Sequence, residues 1–213
     1  MLILGLVGGI ASGKSFVADC FRDMGAVVLN ADAAGHDVLR EPDIIAALAQ
    51  RWGERVLDSR GQISRREVAK IVFAADGDQE KRFLEELSHP RIELRLQQEL
   101  AETRATQPPP RVVAIDAALL FEAGWDKLCD KIVFVDAPRD ARLERAIRRG
   151  WSAEQFAARE AAQWPLEKKA QRSHILIRNV RTMENVRDVV RLTWNDLLSK
   201  HQPGGERSVK PAI

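Results

Sequence analysis

Apolar residues in this chain fall into two kinds of pattern. Short unbroken runs stand at 2–7 (LILGLV), 26–29 (AVVL), 112–116 (VVAID), 131–138 (KIVFVDAP) and 175–177 (ILI). Between them the apolar positions recur at helical spacing: Phe16, Val17, Cys20 and Phe21 in a segment over 14–24, then Ile44, Ile45, Leu48 and Trp52, then Val68, Ile71 and Val72. Pro90 is expected to open a long helix at its first turn, with Ile92, Leu96 and Leu100 on the buried side, and "QPPPR" at 107–111 to stop it. A last helix over 182–200 would bury Val186, Val189, Val190, Thr193, Trp194 and Leu197, and Ser152 with Gln155 forms a capping box that starts another. Unbroken apolar strands alternating with amphipathic helices predict a parallel sheet covered on both faces.

The fold class that follows is α/β, in a three-layer α/β/α arrangement. One domain is expected over 1–200, with a core from 1–30, 111–138 and 174–200. A helical lobe over about 38–107 and a helical lid over about 139–172 would sit beside it, and the tail 201–213 carries no pattern and reads as frayed.

Composition narrows the setting. With 33 basic and 31 acidic residues the net charge is only +2, which does not argue for a nucleic-acid partner and suits a small anionic ligand. No apolar run approaches the roughly 20 residues that span a bilayer, so no membrane partner is expected. Two cysteines without a CxxC, Cys20 and Cys129, read as reduced and structural, and a cytoplasmic protein, monomer or small homo-oligomer, is the expectation.

The first strand runs into Gly8-x-x-x-x-Gly13-Lys14-Ser15, and a helix follows. This is the P-loop pattern in its required context, and it makes the expected fold one of the P-loop NTPase type. Gly8, Gly9, Ile10, Ala11, Ser12 and Gly13 let successive backbone amides turn toward phosphate oxygens. Lys14 reaches the β- and γ-phosphates, the Ser15 hydroxyl ligates Mg²⁺, and Phe16 follows in the helix. Ala11 and Phe16 are side-chain oddities in a site that works through its backbone.

The remaining polar features bear on the reaction. Asp32, past the second strand, can accept a proton from an attacking hydroxyl, and can equally cap the helix that follows. Asp116 ends its strand where an acidic residue can hold Mg²⁺ through water, with a plain strand-end turn as the competing reading. "RDARLERAIRRGW" and "FAAREAAQWPLEKKAQR" cluster basic residues, Arg142, Arg148, Arg149 and Arg159 among them. Most such arginines sit on solvated helix faces, but one or two on a lid would neutralise charge on a moving phosphoryl group.

Read together, these stretches resemble the dephospho-CoA kinases. "GLVGGIASGKSFVA" is similar to their P-loop, "LNADAAGHDV" to an acidic substrate motif with Asp32 and His36, and "GQISRREVAKIVF" to a substrate-lobe helix with Arg65. "LEELSHPRI" resembles their His-Pro element with His89, and "IDAALLFEAG" their "D-x-P-L-L-F-E" strand end with Asp116 and Leu119. "REAAQWPLEKKAQRSHILIRN" resembles the lid and the final loop, which carries Asn179. The resemblance runs in order from about residue 2 to 200.

It implies a five-stranded parallel sheet with a helical substrate lobe and a mobile lid. The implied activity is ATP- and Mg²⁺-dependent phosphorylation of the ribose 3′-hydroxyl of dephospho-CoA. Asp32 would be the base, Arg142 and one of Arg148 or Arg149 lid cations, and Asn179 part of the loop near adenine. His36, Arg65, His89, Asp116 and Leu119 would face the substrate. Ala118 stands where the family usually has proline and Phe16 where threonine is common. The lid turn "RRGWS" is one residue short, which leaves Arg148 and Arg149 as alternatives. "RSHILIRNV" lacks the usual acidic residue before the strand and the usual glycine after Asn179. From the residues alone, a nucleoside or sugar-acid kinase and a nucleotide-binding regulatory protein remain as rivals. A switch protein has no use for an enclosed acceptor lobe.

Overall fold

The computed structural model describes residues 1–74, 76–180 and 182–201. Five strands form one parallel sheet: β1 (Leu2–Gly8), β2 (Val27–Asn30), β3 (Val112–Asp116), β4 (Lys131–Asp136) and β5 (Ile175–Arg178), in the order β2-β3-β1-β4-β5. All seven residues of β1 are buried, as its central place requires. Its side chains divide between two cores. Leu2, Leu4 and Leu6 join Val112, Val133, Val135 and Ile177 on one face, while Ile3 and Val7 join Val113, Ile115 and Phe134 on the other. Burial on both faces is why the strands read as continuous apolar runs.

The first face is covered by α1 (Lys14–Asp23) and, at the far end of the chain, α9 (Met183–Lys200). Phe21 and Trp194 meet between them with ring centroids 6.2 Å apart. The second face carries α2 (Ala31–Val38), α3 (Pro42–Trp52), α4 (Arg65–Val72) and α5 (Asp78–Ala105). Glu41, before α3, accepts from Arg91 and Arg95 of α5 at 2.6 and 2.7 Å. At the other end of α3, Arg51 and Trp52 donate to Glu80, whose carboxyl these bonds draw down to about 2. After β4 come α6 (Arg139–Arg148), α7 (Ala153–Ala161) and α8 (Leu166–Arg172). The Ser152–Gln155 capping box at the start of α7 is present.

Two expectations fail, and one open alternative is decided. Pro90 does not open a helix but lies inside α5. A proline there gives no hydrogen bond to the carbonyl four residues back and costs about 3 kcal/mol. The upstream turns are kept helical by their packing: Phe83, Leu84 and Leu87 lie against the core, and Ser88 donates to the Leu84 carbonyl at 2.7 Å. Asp32 does not cap α2; the Asn30 side chain does, accepting from the Ala33 amide at 2.8 Å. Val189 is 40% exposed, because it falls on the shoulder of a stripe centred on Val186, Val190 and Leu197. Both cysteines are free, and burial foremost, with Asp126 and Asp130, pushes the Cys129 thiol up to about 12. No helix among the described residues is long and apolar enough to cross a membrane. The segment expected to fray lies, from 202 on, outside the described residues.

Candidate active site

The site lies at the carboxyl ends of β1, β2 and β3, where an open parallel sheet leaves a crevice between diverging crossovers. The loop from Gly8 to Ser15 is shaped by close approaches. A Cβ at Gly8 would come within 2.6 Å of both Ser12 Oγ and the Val135 carbonyl. Gly13 caps α1 at φ 93, and a Cβ there would collide with Asn179 Nδ2. Ala11 adopts a left-handed φ of 57. That strained turn is gripped from outside. Asn179 Nδ2 donates to the Ser12 carbonyl at 2.7 Å, and Arg145 Nη1 to the Ala11 and Ser12 carbonyls at 3.2 and 3.1 Å. Inward-pointing carbonyls would repel phosphate, so engaging them from outside leaves the amides to face the ligand.

Lys14 Nζ pairs with Asp116, a buried residue in register with Asn30 of the neighbouring strand. Lys14 thus has a buried counter-charge that also aims it. A cavity of about 370 Å³ opens in front of this loop. Loop and helix residues 9–16 line one part of it, and Asp32 and Leu119 another. Asp32 sits in the first turn of α2 with its carboxylate exposed toward this space. Because Asn30 does the capping, Asp32 is left available for a ligand.

Among the arginines the structure makes a clear division. Arg149 lines the cavity, whereas Arg148 points away and pairs with Glu144. Arg142 is buried: its Nε donates to the Ala137 carbonyl at 3.1 Å and its Nη1 to Glu160 at 2.6 Å. Burial alone would raise Glu160, but bonds from Arg142 and Arg139 bring its carboxyl below the ordinary value. Arg142 therefore fastens α6 to α7 beneath the loop, against Gly9, and lies outside the cavity lining. His36, Arg65, His89 and Asn179 are not brought to the cavity wall either. His36 lies one turn beyond Asp32; burial first, and Arg65 second, lower its proton affinity. His89 is set edge-on to Trp125 at 5.4 Å, and burial lowers its affinity too.

Arg159, from the basic cluster, also lines the wall, together with residues not expected there, among them Phe73, Lys81, Trp151 and Gln163. Beneath it lies Lys169, fully buried, which donates to the Ala118 carbonyl at 2.8 Å and to Gln163 at 3.2 Å and pairs with Glu122 at 2.8 Å. Leu166 and Ala170 flank it on the core, so the spacing 166, 169, 170 was the available signal.

The order of features along the chain is matched in known proteins. A sequence profile of the dephospho-CoA kinase family matches residues 2–185. A dephospho-CoA kinase of Chlorobaculum tepidum is 34% identical over 203 residues, covering 93% of this chain and 96% of the relative. The crystal structure of TT1252 from Thermus thermophilus superposes with a TM-score of 0.75 at 31% identity, covering 92% of this chain and 97% of that one. The dephospho-CoA kinase from Campylobacter jejuni shares the fold at 21% identity, with a TM-score of 0.68 over 93% of this chain and 98% of its own. A P-loop clamped from behind and facing Asp32, in a chain matched across nearly its whole length, leads to one conclusion: this protein belongs to the dephospho-CoA kinase family.

Proposed function

We infer that the chain transfers the γ-phosphoryl group of ATP to the ribose 3′-hydroxyl of dephospho-CoA, giving coenzyme A and ADP. The observation that carries this reading is one cavity bounded by the P-loop on one side and by the unencumbered carboxylate of Asp32 on another. Backbone amides of residues 8–15 hold the β- and γ-phosphates, and Lys14, aimed by Asp116, follows the charge on the moving group. Asp32 accepts the proton of the attacking hydroxyl as its oxygen bonds to the γ-phosphorus and the bond to the β-bridging oxygen breaks. Arg149 supplies a second cation from the hairpin of α6 and α7, which we read as the lid that excludes water from the transfer.

The oxygen donors present, Ser15 Oγ and the Asp116 carboxylate, suit Mg²⁺, a hard cation that takes most of its other ligands from phosphates and water. No cluster of three or more His, Cys, Asp or Glu side chains able to hold a metal occurs among the described residues. Held by Ser15 and Asp116, such an ion would supply charge neutralisation for the transferred phosphoryl group.

A coupled assay of ADP release tests the reading, with dephospho-CoA, adenosine, AMP and shikimate as acceptors. Dephospho-CoA should give the highest kcat/KM. Turnover of another acceptor without turnover of dephospho-CoA would overturn it.

A further inference from the structure

Arg159 is a cavity cation that the mechanism above leaves unused. It stands in α7 and lines the cavity with Lys14, Lys81 and Arg149. Lys14 has Asp116, and Lys81 has the Ala162 carbonyl and Glu85. Among the described residues no carboxylate comes within ion-pair distance of Arg159. Its guanidinium instead lies over two rings, 4.7 Å from the centroid of Phe73 and 4.5 Å from that of Trp151. Burial, and then Arg65, press its proton affinity below the ordinary value. The position thus gathers positive charge without a protein anion to balance it.

We propose that Arg159 is an acceptor-binding residue that takes the diphosphate linking the two halves of dephospho-CoA. This rests on the function inferred above. Three observations favour the acceptor over ATP. Phe73 directly follows α4, and Trp151 opens the turn before α7, so the rings that hold Arg159 belong to the helices beside the sheet and to the hairpin. The loop that holds the triphosphate is gripped by other groups, Asn179 and Arg145. Arg65 acts on Arg159 electrostatically from behind the cavity wall, so the guanidinium that lines it sits in a positive field that favours a dianion, which a diphosphate diester is at neutral pH. Ring contacts occupy the face of a guanidinium and leave its edge N–H donors for phosphate oxygens. The same contacts join the lobe side to the hairpin, so an acceptor bound there would draw both together.

Steady-state kinetics of wild type, Arg159→Gln and Arg159→Lys test this. Arg159→Gln should raise KM for dephospho-CoA by about tenfold or more, with kcat and KM for ATP within about twofold. Arg159→Lys, which keeps the charge but not the fork, should recover part of the loss and guards against a folding defect in the first variant. For adenosine, which lacks the diphosphate, kcat/KM should be the same in all three proteins. A fall in kcat at unchanged KM would place Arg159 on the transferred phosphoryl group instead. An unchanged KM for dephospho-CoA, or an equal loss for adenosine, would equally overturn the proposal. If the wild type fails to phosphorylate dephospho-CoA at all, the inferred function is what falls.

Discussion

Replacing Lys169 by methionine probes the buried contact on which the back of the cavity rests. Lys169 is fully buried and its ammonium reaches Glu122 at 2.8 Å, the Ala118 carbonyl at 2.8 Å and Gln163 at 3.2 Å. Methionine nearly matches the shape and removes the charge. Glu122 would keep the Trp164 amide at 2.8 Å, but its other oxygen is already buried without a partner, so its charge would stand uncompensated. Breaking a buried pair from one side costs about 3–5 kcal/mol. For a domain of this size each kcal/mol moves the melting temperature by about 2–4 °C, so the variant should melt about 6–20 °C lower. Because Ala118 and Gln163 line the cavity, kcat/KM should fall with it. Thermal and urea unfolding of Lys169→Met, Glu122→Gln and the double variant give the cycle, and the double variant should recover more than half of the loss. A single variant melting within about 3 °C of wild type, or a coupling energy below about 0.5 kcal/mol, would refute the reasoning.

The other expectations are shorter. Arg149→Ala should lower kcat by roughly 10²-fold, and Arg148→Ala should stay within about twofold, since only the former lines the cavity. Asp32→Asn should lower kcat by about 10²–10⁴-fold with little change in KM for ATP, read in the same coupled assay. His89 binds its proton less readily in the fold than the ordinary 6.5, so unfolding takes up a proton below that value. Stability should therefore be full above about pH 6.5 and decline as pH falls below it, and melts of His89→Gln against pH should show a flatter decline.

Much of the architecture could be read from hydrophobic pattern because a sheet buried on both faces writes its strands as unbroken runs. All five apolar runs became strands. The P-loop was legible because its spacing and its strand-to-helix context are local. What escaped depends on contacts distant in sequence. Pro90 looks like a helix start until Phe83, Leu84 and Leu87 are seen packed upstream of it. Asp32 and Asn30 are both good caps on paper, and only the geometry of the turn assigns the role to Asn30. Arg148 and Arg149 are neighbours on one chain, and only the helix rotation separates them. Lys169 carries a hint of burial in its spacing with Leu166 and Ala170, but nothing nearby announces Glu122, 47 residues earlier, as its partner. Arg159 needed Phe73 and Trp151 from two other segments before it stood out.

The central claim is the transfer of phosphoryl to one particular hydroxyl, and ³¹P NMR of the reaction mixture tests it most directly. With ATP, Mg²⁺ and dephospho-CoA, the account predicts a new phosphomonoester resonance coupled to the ribose H3′, growing in step with ADP and about 10²-fold or more slower in Asp32→Asn. ADP formed with inorganic phosphate alone, or a monoester at any other position, would contradict it.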